Sequence, residues 1–267
     1  MVSGDLTSTI GDHNKKAAIF DGVNDRITLP ASSATFFNAQ RFTITMWIKA
    51  VNYNQEGRLF EKNKVTTKNT QLTVFLFNDS NFYFRTVNSA GTIDDLNDTN
   101  SNLGMTNNTW VHIACRYDGA TKKIFINAVD KKSKVYTEVM AEGPTGVSQI
   151  GIAADLDGPY KGAMRDLRFY RKALTQAEIT QVYEGSMQPT KISARFMFDE
   201  DFNDSINGIT GTNVGDGAYI TTQTGNHREV EADMNTLTVS AERYGAFCIP
   251  IQGRDSRFHI FGITRTA

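Results

Sequence analysis

A strand-like run passes within a few residues into a helix that carries a complete start signal, in the sequence GAMRDLRFYRKALTQAEITQVY. Thr175 is suited to the N-cap because its hydroxyl can accept a hydrogen bond from the first turn, and Glu178, three residues on, can bond back to the cap. Leu174 and Ile179 stand where a hydrophobic staple would fix the entry of the chain. The spacing therefore predicts a short helix directly after a strand.

Between residues 17 and 171 the chain consists of short alternating runs separated by clusters of Asn, Asp, Gly and Thr. In the run at 42–49, alternate side chains would face opposite sides of a sheet. The more apolar of these two faces holds Phe42, Ile44, Met46 and Ile48. Many short strands with one helix predict an all-β protein built as an antiparallel sandwich, with the helix near residues 175–184.

The segment 94–108, DDLNDTNSNLGMTNN, is rich in residues that bond their own backbone and carries few apolar side chains. We therefore expect an exposed loop there. The run that follows at 116–127 predicts strand, turn and strand, with Asp118 and Gly119 opening the connection.

At 267 residues, the chain is long enough for one large β sandwich of about 200 residues plus an appendage. Its formal net charge of −1 supplies no global basic field for nucleic acid or an anionic membrane surface. No apolar run approaches membrane-spanning length, and the N-terminal sequence lacks the apolar core of a secretory signal. We expect neither nucleic-acid binding nor membrane insertion, and we expect Cys115 and Cys248 to be buried free thiols.

Four motifs occur in order over roughly residues 17–185. They are FDGVNDRITLP at 20–30, FTITMWIK at 42–49, NTWVHIACRYDG at 108–119 and ALTQAEI at 173–179. In this order they resemble the laminin G-like, concanavalin A-like lectin family. The resemblance implies a jelly-roll sandwich. It also implies binding of glycans or proteins, in some members through calcium at the rim, and the family includes accessory modules of adhesins and viral particles.

Two positions depart from the family pattern. The family usually has Gly after Asn in the hairpin that follows YDG, whereas this chain has Asn127 and Ala128. The resemblance therefore does not predict a type I′ turn at this hairpin. The family's usual acidic residue after the Gly-x-Ile segment falls on Arg165, with Asp166 next. The resemblance therefore gives that first position no salt-bridge or metal role.

The sequence predicts two regions. Residues 1–187 would form the laminin G-like jelly-roll domain behind a short N-terminal arm, 1–16, and residues 188–267 a β-rich C-terminal region. The stretch 194–221 is similar to the opening of a laminin G-like unit, which the first unit lacks. It either supplies the missing strand to the first sandwich or begins a truncated second unit, and we favour the second interpretation.

Some concanavalin A-like relatives are glycoside hydrolases, which need two carboxylates on one face of a strand. Those enzymes resemble one another in a Glu-x-Asp-x-(x)-Glu strand, and this sequence contains no such run. The four histidines are scattered and form no visible pair of nucleophile and base. The sequence therefore predicts a protein that is not an enzyme.

A carbohydrate site needs an aromatic platform for the C–H face of the sugar and planar polar side chains for its hydroxyls. Five candidate ligand-binding residues carry such groups on shared strand faces. They are Trp47, Tyr83, Arg85, His112 and Arg116. If the faces align on one sheet, they form a groove. A structural interpretation competes, in which Trp47 and Trp110 are core residues between the sheets, His112 is a hydrogen-bonded core histidine and the arginines are surface charges.

Calcium is the one cofactor that the acidic loops suggest, since carboxylate and carbonyl oxygens are its ligands. The candidate metal ligands are Asp21, Asp25, Asp155 and Asp157. Ordinary Asx turns account for the same residues, and no EF-hand spacing is present.

These features favour a non-enzymatic surface protein with a lectin-like domain, and among such proteins a virion component such as a phage capsid decoration, fibre or tail protein. Its partners would be a glycan or host-surface receptor, neighbouring virion subunits or a second copy of itself. It would reside on a virion or an extracellular surface. A secreted or cell-surface lectin module is the alternative, and a glycoside hydrolase a remote third.

Overall fold

A computed structural model describes residues 16–63, 70–141, 147–153, 156–186, 190–214, 219–222, 244–250 and 258–265. The chain divides into two compact units, Met1–His227 and Arg228–Ala267. The second unit contains an antiparallel pair of strands, β16 (Tyr244–Pro250) and β17 (Phe258–Arg265). All other elements belong to the first unit.

The first unit is built almost entirely from strands. They are β1 (Lys16–Asp21), β2 (Arg26–Leu29), β3 (Phe42–Ala50), β4 (Gly57–Asn63), β5 (Thr70–Leu76), β6 (Asn81–Val87), β7 (Ile93–Thr99), β8 (Val111–Tyr117), β9 (Thr121–Ile126), β10 (Val129–Val135), β11 (Ser148–Ile150), β12 (Lys161–Tyr170), β13 (Ile192–Phe196), β14 (Thr212–Val214) and β15 (Tyr219–Thr222). The helices are a 3-10 helix (Ala31–Phe37), α1 (Asn100–Leu103) and α2 (Gln176–Glu184). Within the described ranges, none is both long and apolar enough to cross a membrane.

Two antiparallel sheets stack to form the sandwich. The first sheet has the order β10–β9–β8–β3–β12–β1–β15, with β13 also paired to β12. The second sheet has the order β14–β2–β11–β4–β5–β6–β7. Every pairing in both sheets is antiparallel. The prediction of an antiparallel jelly-roll sandwich is confirmed.

The main core lies between the two sheets. The predicted apolar face of β3 points into it, and the side chains of Phe42, Ile44, Met46 and Ile48 are buried. Phe42 stacks on Phe169 of the first sheet at 5.5 Å and meets Phe84 of the second sheet edge-on at 5.9 Å. Burial of each such side chain stabilises the fold by roughly 1.5–3 kcal/mol, so this contact holds the layers together.

Helix α2 covers part of the outer face of the first sheet, the face turned away from the core. Its Ile179 and Val182 join Leu174 in a second apolar cluster with residues of β8, β9 and β12. Thr175 Oγ1 accepts from the Glu178 N–H at 3.2 Å, and the Thr175 N–H donates to Glu178 Oε2 at 2.9 Å. The predicted helix and its capping box are confirmed.

The expectation of an exposed loop at 94–108 is wrong at its start, since β7 and α1 occupy residues 93–103. Strand β7 carries three aspartates, which a strand-forming pattern disfavours. Their charges are matched by cations on neighbouring strands: Asp94 pairs with Lys122 at 2.9 Å, and Asp98 with Lys132 at 3.0 Å. Because β9 and β10 of the other sheet supply these lysines, no local pattern could reveal the strand.

The hairpin between β9 and β10 has a two-residue turn, whose type the family resemblance did not predict. Asn127 and Ala128 have φ of 50° and 63°, and Ile126 pairs with Val129 across the turn. Positive φ at both central residues is the mark of a type I′ turn. Ala128 therefore adopts a conformation that a side chain normally disfavours.

The division of the chain differs from the predicted boundary at 187/188. Strand β13 pairs with the second half of β12, β14 pairs with β2, and β15 pairs with β1. The stretch 194–221 therefore adds strands to the first sandwich and does not begin a second unit, which was the interpretation we favoured. The physical reason is that β1 covers only the first half of β12, so β13 completes the pairing of that strand.

Asp166 of β12 accepts a hydrogen bond from Arg195 and so links β12 to β13. It sits in an irregularity of β12 with φ of 50°, where two residues separate Arg165 from Arg168 but one residue separates their partners on β3. Asp166 Oδ1 accepts from Arg168 Nε and from Arg195 Nε of β13, each at 2.8 Å. Although burial opposes its charge, the two guanidinium groups hold the pKa of Asp166 well below its usual range.

Cys115 is buried in the core of the first unit and forms no disulfide, as expected for a free thiol. Burial raises the pKa of this thiol far above its ordinary value. The side chain of Cys248 lies outside the described part of the structure, so its state stays a prediction.

We expect Thr175→Ala to lower the free energy of unfolding by about 1 kcal/mol, because the substitution removes the N-cap acceptor of α2. Thr180→Ala, in the same helix, is the matched control. Its exposed hydroxyl only bonds back to Gln176 O, so we expect little change or a slight gain. Urea unfolding of both variants measures the difference, and equal effects would contradict the assigned cap.

We expect Asp166→Asn to lower the free energy of unfolding by about 3–5 kcal/mol at pH 7, because it leaves the buried Arg168 guanidinium without its counter-charge. Asn retains the tolerance for positive φ, so the backbone is not the cause. Asp130→Asn, which removes an exposed ion pair with Lys123, should change stability by less than about 0.5 kcal/mol.

The same variant has a pH signature. A carboxyl whose folded pKa lies below its unfolded value of about 3.9 contributes stability above that pH and loses the contribution as the pH falls. The gap between the native protein and Asp166→Asn should therefore be widest above about pH 5 and shrink toward pH 2.5. Urea unfolding at several pH values measures the gap, and a constant gap would show that Asp166 does not act through its charge.

Candidate functional site

Trp47 and His112 lie side by side on the outer face of the first sheet. They are cross-strand partners on β3 and β8, with ring centroids 4.9 Å apart. Tyr183 of α2 contacts both rings, at 5.4 Å from Trp47 and 5.7 Å from His112. The side chains are only 5% and 1% exposed and pack against Tyr183, so both rings are part of the contact between the first sheet and α2. Their burial agrees with the structural interpretation, but its placement between the sheets is wrong, because Trp47 belongs to a separate cluster on the outer face.

Arg165 and Trp110 complete this closed cluster through a contact that no sequence motif predicts. Arg165 pairs with Trp47 across β12 and β3, and its guanidinium carbon lies 5.8 Å from the Trp47 ring and 4.4 Å from the Trp110 ring. A cation between two indole rings stabilises packing where both are buried. This cluster joins α2 to the sheet beneath it.

Arg116 holds the entry to α2. Its Nη2 donates to Asp118 at 2.8 Å, and its Nη1 donates to the backbone oxygen of Leu174 at 3.3 Å. The guanidinium therefore anchors the segment that precedes the N-cap, and its hydrogen bonds are directed toward the protein.

Tyr83 and Arg85 lie on the outer face of the second sheet, away from the core that Phe82 and Phe84 enter. Arg85 Nε and Nη2 each donate to Asp95 of β7 at 2.8 Å. The Tyr83 hydroxyl donates to Asp79 at 2.6 Å, and this bond is the main reason that its pKa rises to about 12.

The five predicted ligand-binding residues therefore do not form one groove. Trp47, His112 and Arg116 belong to the first sheet, whereas Tyr83 and Arg85 belong to the second sheet. Because both sets point away from the shared core, they lie on opposite sides of the sandwich. The expected alignment is corrected by the sheet order, which places β6 in a different layer from β3 and β8.

Phe75 is the centre of the aromatic group on the second sheet. Its ring is stacked on Tyr83 at 4.7 Å with an interplanar angle of 7°. The Arg58 guanidinium lies 4.3 Å from the same ring, and that of Arg85 lies 5.0 Å away. Since β4 and β6 flank β5, Phe75 is held between Arg58 and Tyr83. This arrangement forms a rigid ladder of planar groups.

Beside this ladder, buried polar atoms have no hydrogen-bond partner among the described residues. They are both amide atoms of Gln71, the hydroxyl of Thr73, Oε1 of Gln149 and Nη1 of Arg58. The residues come from β4, β5 and β11, which are neighbours in the second sheet. Buried polar groups in proteins are nearly always bonded, to the protein, to ordered water or to a ligand, so these atoms mark a candidate binding face.

The polar residues share a face because of strand alternation. On β5, Leu72, Val74 and Leu76 enter the core, which turns Gln71, Thr73 and Phe75 outward. Thr73 faces Glu61 across the sheet, and Glu61 faces Gln149. The alternation in TQLTVFL is enough to predict that the polar side chains of β5 share one face. The proximity of Gln149 to them depends on pairing between strands that are distant in the sequence. We name Arg58, Gln71, Thr73, Phe75, Tyr83, Arg85 and Gln149 the polar ladder face.

Among the predicted calcium ligands, Asp21 ends β1 and Asp25 lies in the connection to β2. The Asp21 N–H donates to Asp25 Oδ2 at 3.0 Å, and the Val23 N–H donates to Asp21 Oδ1 at 2.7 Å. Asp157 accepts from the following N–H at 3.0 Å, and Asp155 lies outside the described residues. Across the part of the chain with assigned placement, no three His, Cys, Asp or Glu side chains are grouped to hold a metal ion. Calcium binding stays a prediction.

Solved structures with this fold include two with low sequence identity. A protein from Bacteroides ovatus ATCC 8483, provisionally described as carbohydrate-binding, superposes with a TM-score of 0.59 at 16% identity over 80% of this chain and 61% of its own. The heptameric SAP-like pentraxin of Limulus polyphemus superposes with a TM-score of 0.55 at 14% identity over 79% of this chain and 97% of its own. These likenesses establish the shared fold.

Sequence comparison adds a family. Human usherin is 24% identical over 160 residues, which are 55% of this chain but only 3% of usherin. A laminin G-type family model, described as the concanavalin A-like lectin/glucanases superfamily, matches residues 21–180. Because that match covers more than half of the sequence, the chain belongs to the concanavalin A-like lectin/glucanases superfamily.

Proposed function

We propose that the first unit is a non-catalytic glycan-recognition domain and that the polar ladder face is its binding surface. One observation carries the proposal. The amide of Gln71, the hydroxyl of Thr73 and Oε1 of Gln149 are buried together on an outer sheet face, with no hydrogen-bond partner among the residues that the structure describes. Family membership and the fold shared with the Bacteroides protein support the same class of ligand.

A saccharide suits these atoms chemically. Each sugar hydroxyl both donates and accepts, and the amide of Gln71 offers both functions in one plane. Arg58 Nη1 adds a donor, while its guanidinium is already oriented by the Phe75 ring. Bonding to such a ligand would remove the desolvation penalty of the unpartnered atoms, which is about 1–3 kcal/mol for each group. The polar atoms that would contact a ligand are therefore held in position before the ligand binds.

The carboxylates of this face support binding over hydrolysis. A glycosidase needs one carboxyl to donate a proton and another to act as base or nucleophile. Asp95 is held by two hydrogen bonds from Arg85, and Glu61 lies 3.9 Å from Arg58 Nε. Both carboxylates are therefore engaged by guanidinium groups of the protein, whereas the two carboxyls of a glycosidase must be free to reach the glycosidic oxygen and a water or the sugar carbon. Release of reducing ends from a bound polysaccharide would favour the glycosidase alternative.

We propose a virion as the setting, with the glycan or a host-surface receptor as one partner and neighbouring subunits or a second copy as others. The adhesion-type module and a second, β-rich unit support this choice. A secreted or cell-surface lectin is the alternative. Antibody labelling of purified particles would favour the virion, whereas labelling confined to cell surfaces or culture medium would favour the alternative.

Gln71→Met tests the binding face, because it keeps the length of the side chain and removes the unpartnered amide. We expect glycan binding to fall by about tenfold or more, while the free energy of unfolding stays constant or rises by about 1–3 kcal/mol. Binding is measured on a glycan microarray and then by titration calorimetry with a glycan bound there.

Gln40→Met is the matched control, since the Gln40 amide donates to Met140 O at 3.1 Å and accepts from Met140 N–H at 2.9 Å. This variant should lose stability by about 1–3 kcal/mol and keep its glycan binding. If Gln71→Met keeps full binding, or loses as much stability as Gln40→Met, the polar ladder face is not the binding surface.

A further inference from the structure

We propose that the polar ladder face selects uncharged glycans and discriminates against those that carry carboxylate or sulfate groups. The inference rests on the proposed glycan function and adds the class of ligand. It follows from how the two arginines of the face are already occupied by protein carboxylates.

The charge of the Arg85 guanidinium is matched by the carboxylate of Asp95. Its Nε and Nη2 donate to the two oxygens of Asp95 at 2.8 Å each, which is the side-by-side geometry that a ligand carboxylate or sulfate would otherwise take. Its side chain is 31% exposed and that of Asp95 is 26% exposed, so the pair lies at the surface of the face. An anionic sugar would have to displace Asp95 before it could use this guanidinium.

Arg58 is likewise surrounded by acidic groups. Its Nη2 lies 3.5 Å from Glu56 Oε1, and its Nε lies 3.9 Å from Glu61 Oε2. Its remaining nitrogen, Nη1, has no partner in the part of the chain with assigned placement and can donate a hydrogen bond to a hydroxyl. It cannot offer the paired nitrogens that favour a carboxylate or sulfate.

The balance of charge around the Phe75–Tyr83 stack is therefore acidic. Asp79, bonded to the Tyr83 hydroxyl at 2.6 Å, adds a further carboxylate beside the two arginine pairs. Like charges within a few ångströms repel an approaching anion, whereas the hydroxyls of a neutral sugar carry no such penalty. The atoms left for the ligand are amide, hydroxyl and single guanidinium groups, which match hydroxyls.

The alternation of β7 provides a matched pair of charge changes. Asp95 faces Arg85 on the outer side of the second sheet. Asp98 faces Phe82, whose side chain enters the core, and it pairs with Lys132 of β10 at 3.0 Å. Asp95→Asn and Asp98→Asn each remove one negative charge from the same strand, but only the first frees a cation on the polar ladder face.

The test uses the full chain on a glycan microarray that carries neutral, uronate-containing, sialylated and sulfated glycans at 0.15 M salt. We expect the native protein to bind neutral glycans and to leave their charged counterparts unbound. Asp95→Asn should raise binding to charged glycans by about fivefold, the effect of one freed charge at about 4 Å in water, and this gain should fade in high salt. Asp98→Asn should leave the pattern unchanged.

The outcomes separate the two proposals. Stronger binding of the native protein to charged glycans overturns the selectivity inference and leaves the glycan function intact. Binding to no glycan overturns the proposed function and the inference with it. An equal gain in both variants shows that net charge, and not the freed guanidinium, governs selection, which also overturns the inference. If Asp95→Asn does not fold by circular dichroism, the native pattern alone decides.

Discussion

Burial of aromatic and aliphatic side chains between the two sheets is the interaction on which the other features depend. Phe42 and Phe169 of the first sheet meet Phe84 of the second sheet in a close-packed group. Once these residues face inward, the two-residue repeat of a strand fixes the direction of every neighbour. The outward positions of Gln71, Thr73 and Arg85 are therefore a consequence of the core. A shift of one residue in β5 would turn its polar residues toward the core and its apolar residues outward.

The parts of the structure that depend on adjacent residues could be predicted. The cap of α2 needs only Thr175 and Glu178, three positions apart, and the apolar face of β3 needs only alternation. The family motifs fixed the sandwich because they occur in order along the chain. By contrast, the separation of Tyr83 from Trp47 depends on which strands share a sheet, and that is decided by contacts between distant residues.

The other differences have the same origin. Lysines of β9 and β10 match aspartates of β7, and Asp166 of β12 binds Arg195 of β13, the strand that completes the pairing of β12. Pairs of this kind join positions that lie about 25–40 residues apart, so neither member signals the other in the sequence. The pairing of Gln149 with Glu61, across still more of the chain, belongs to the same class. Of the candidate site, the sequence analysis therefore predicted only Tyr83 and Arg85.

The most direct test of the account is to map the ligand contact by NMR on the isotope-labelled full chain, using a glycan bound on the array. The account predicts that the side-chain amide signals of Gln71 and Gln149 and the Nε signal of Arg58 shift on titration. Shifts confined to the turn that holds Asp21 and Asp25, appearing only when calcium is added, would contradict it. That result would place recognition at the rim of the sandwich and leave the polar ladder face without a ligand.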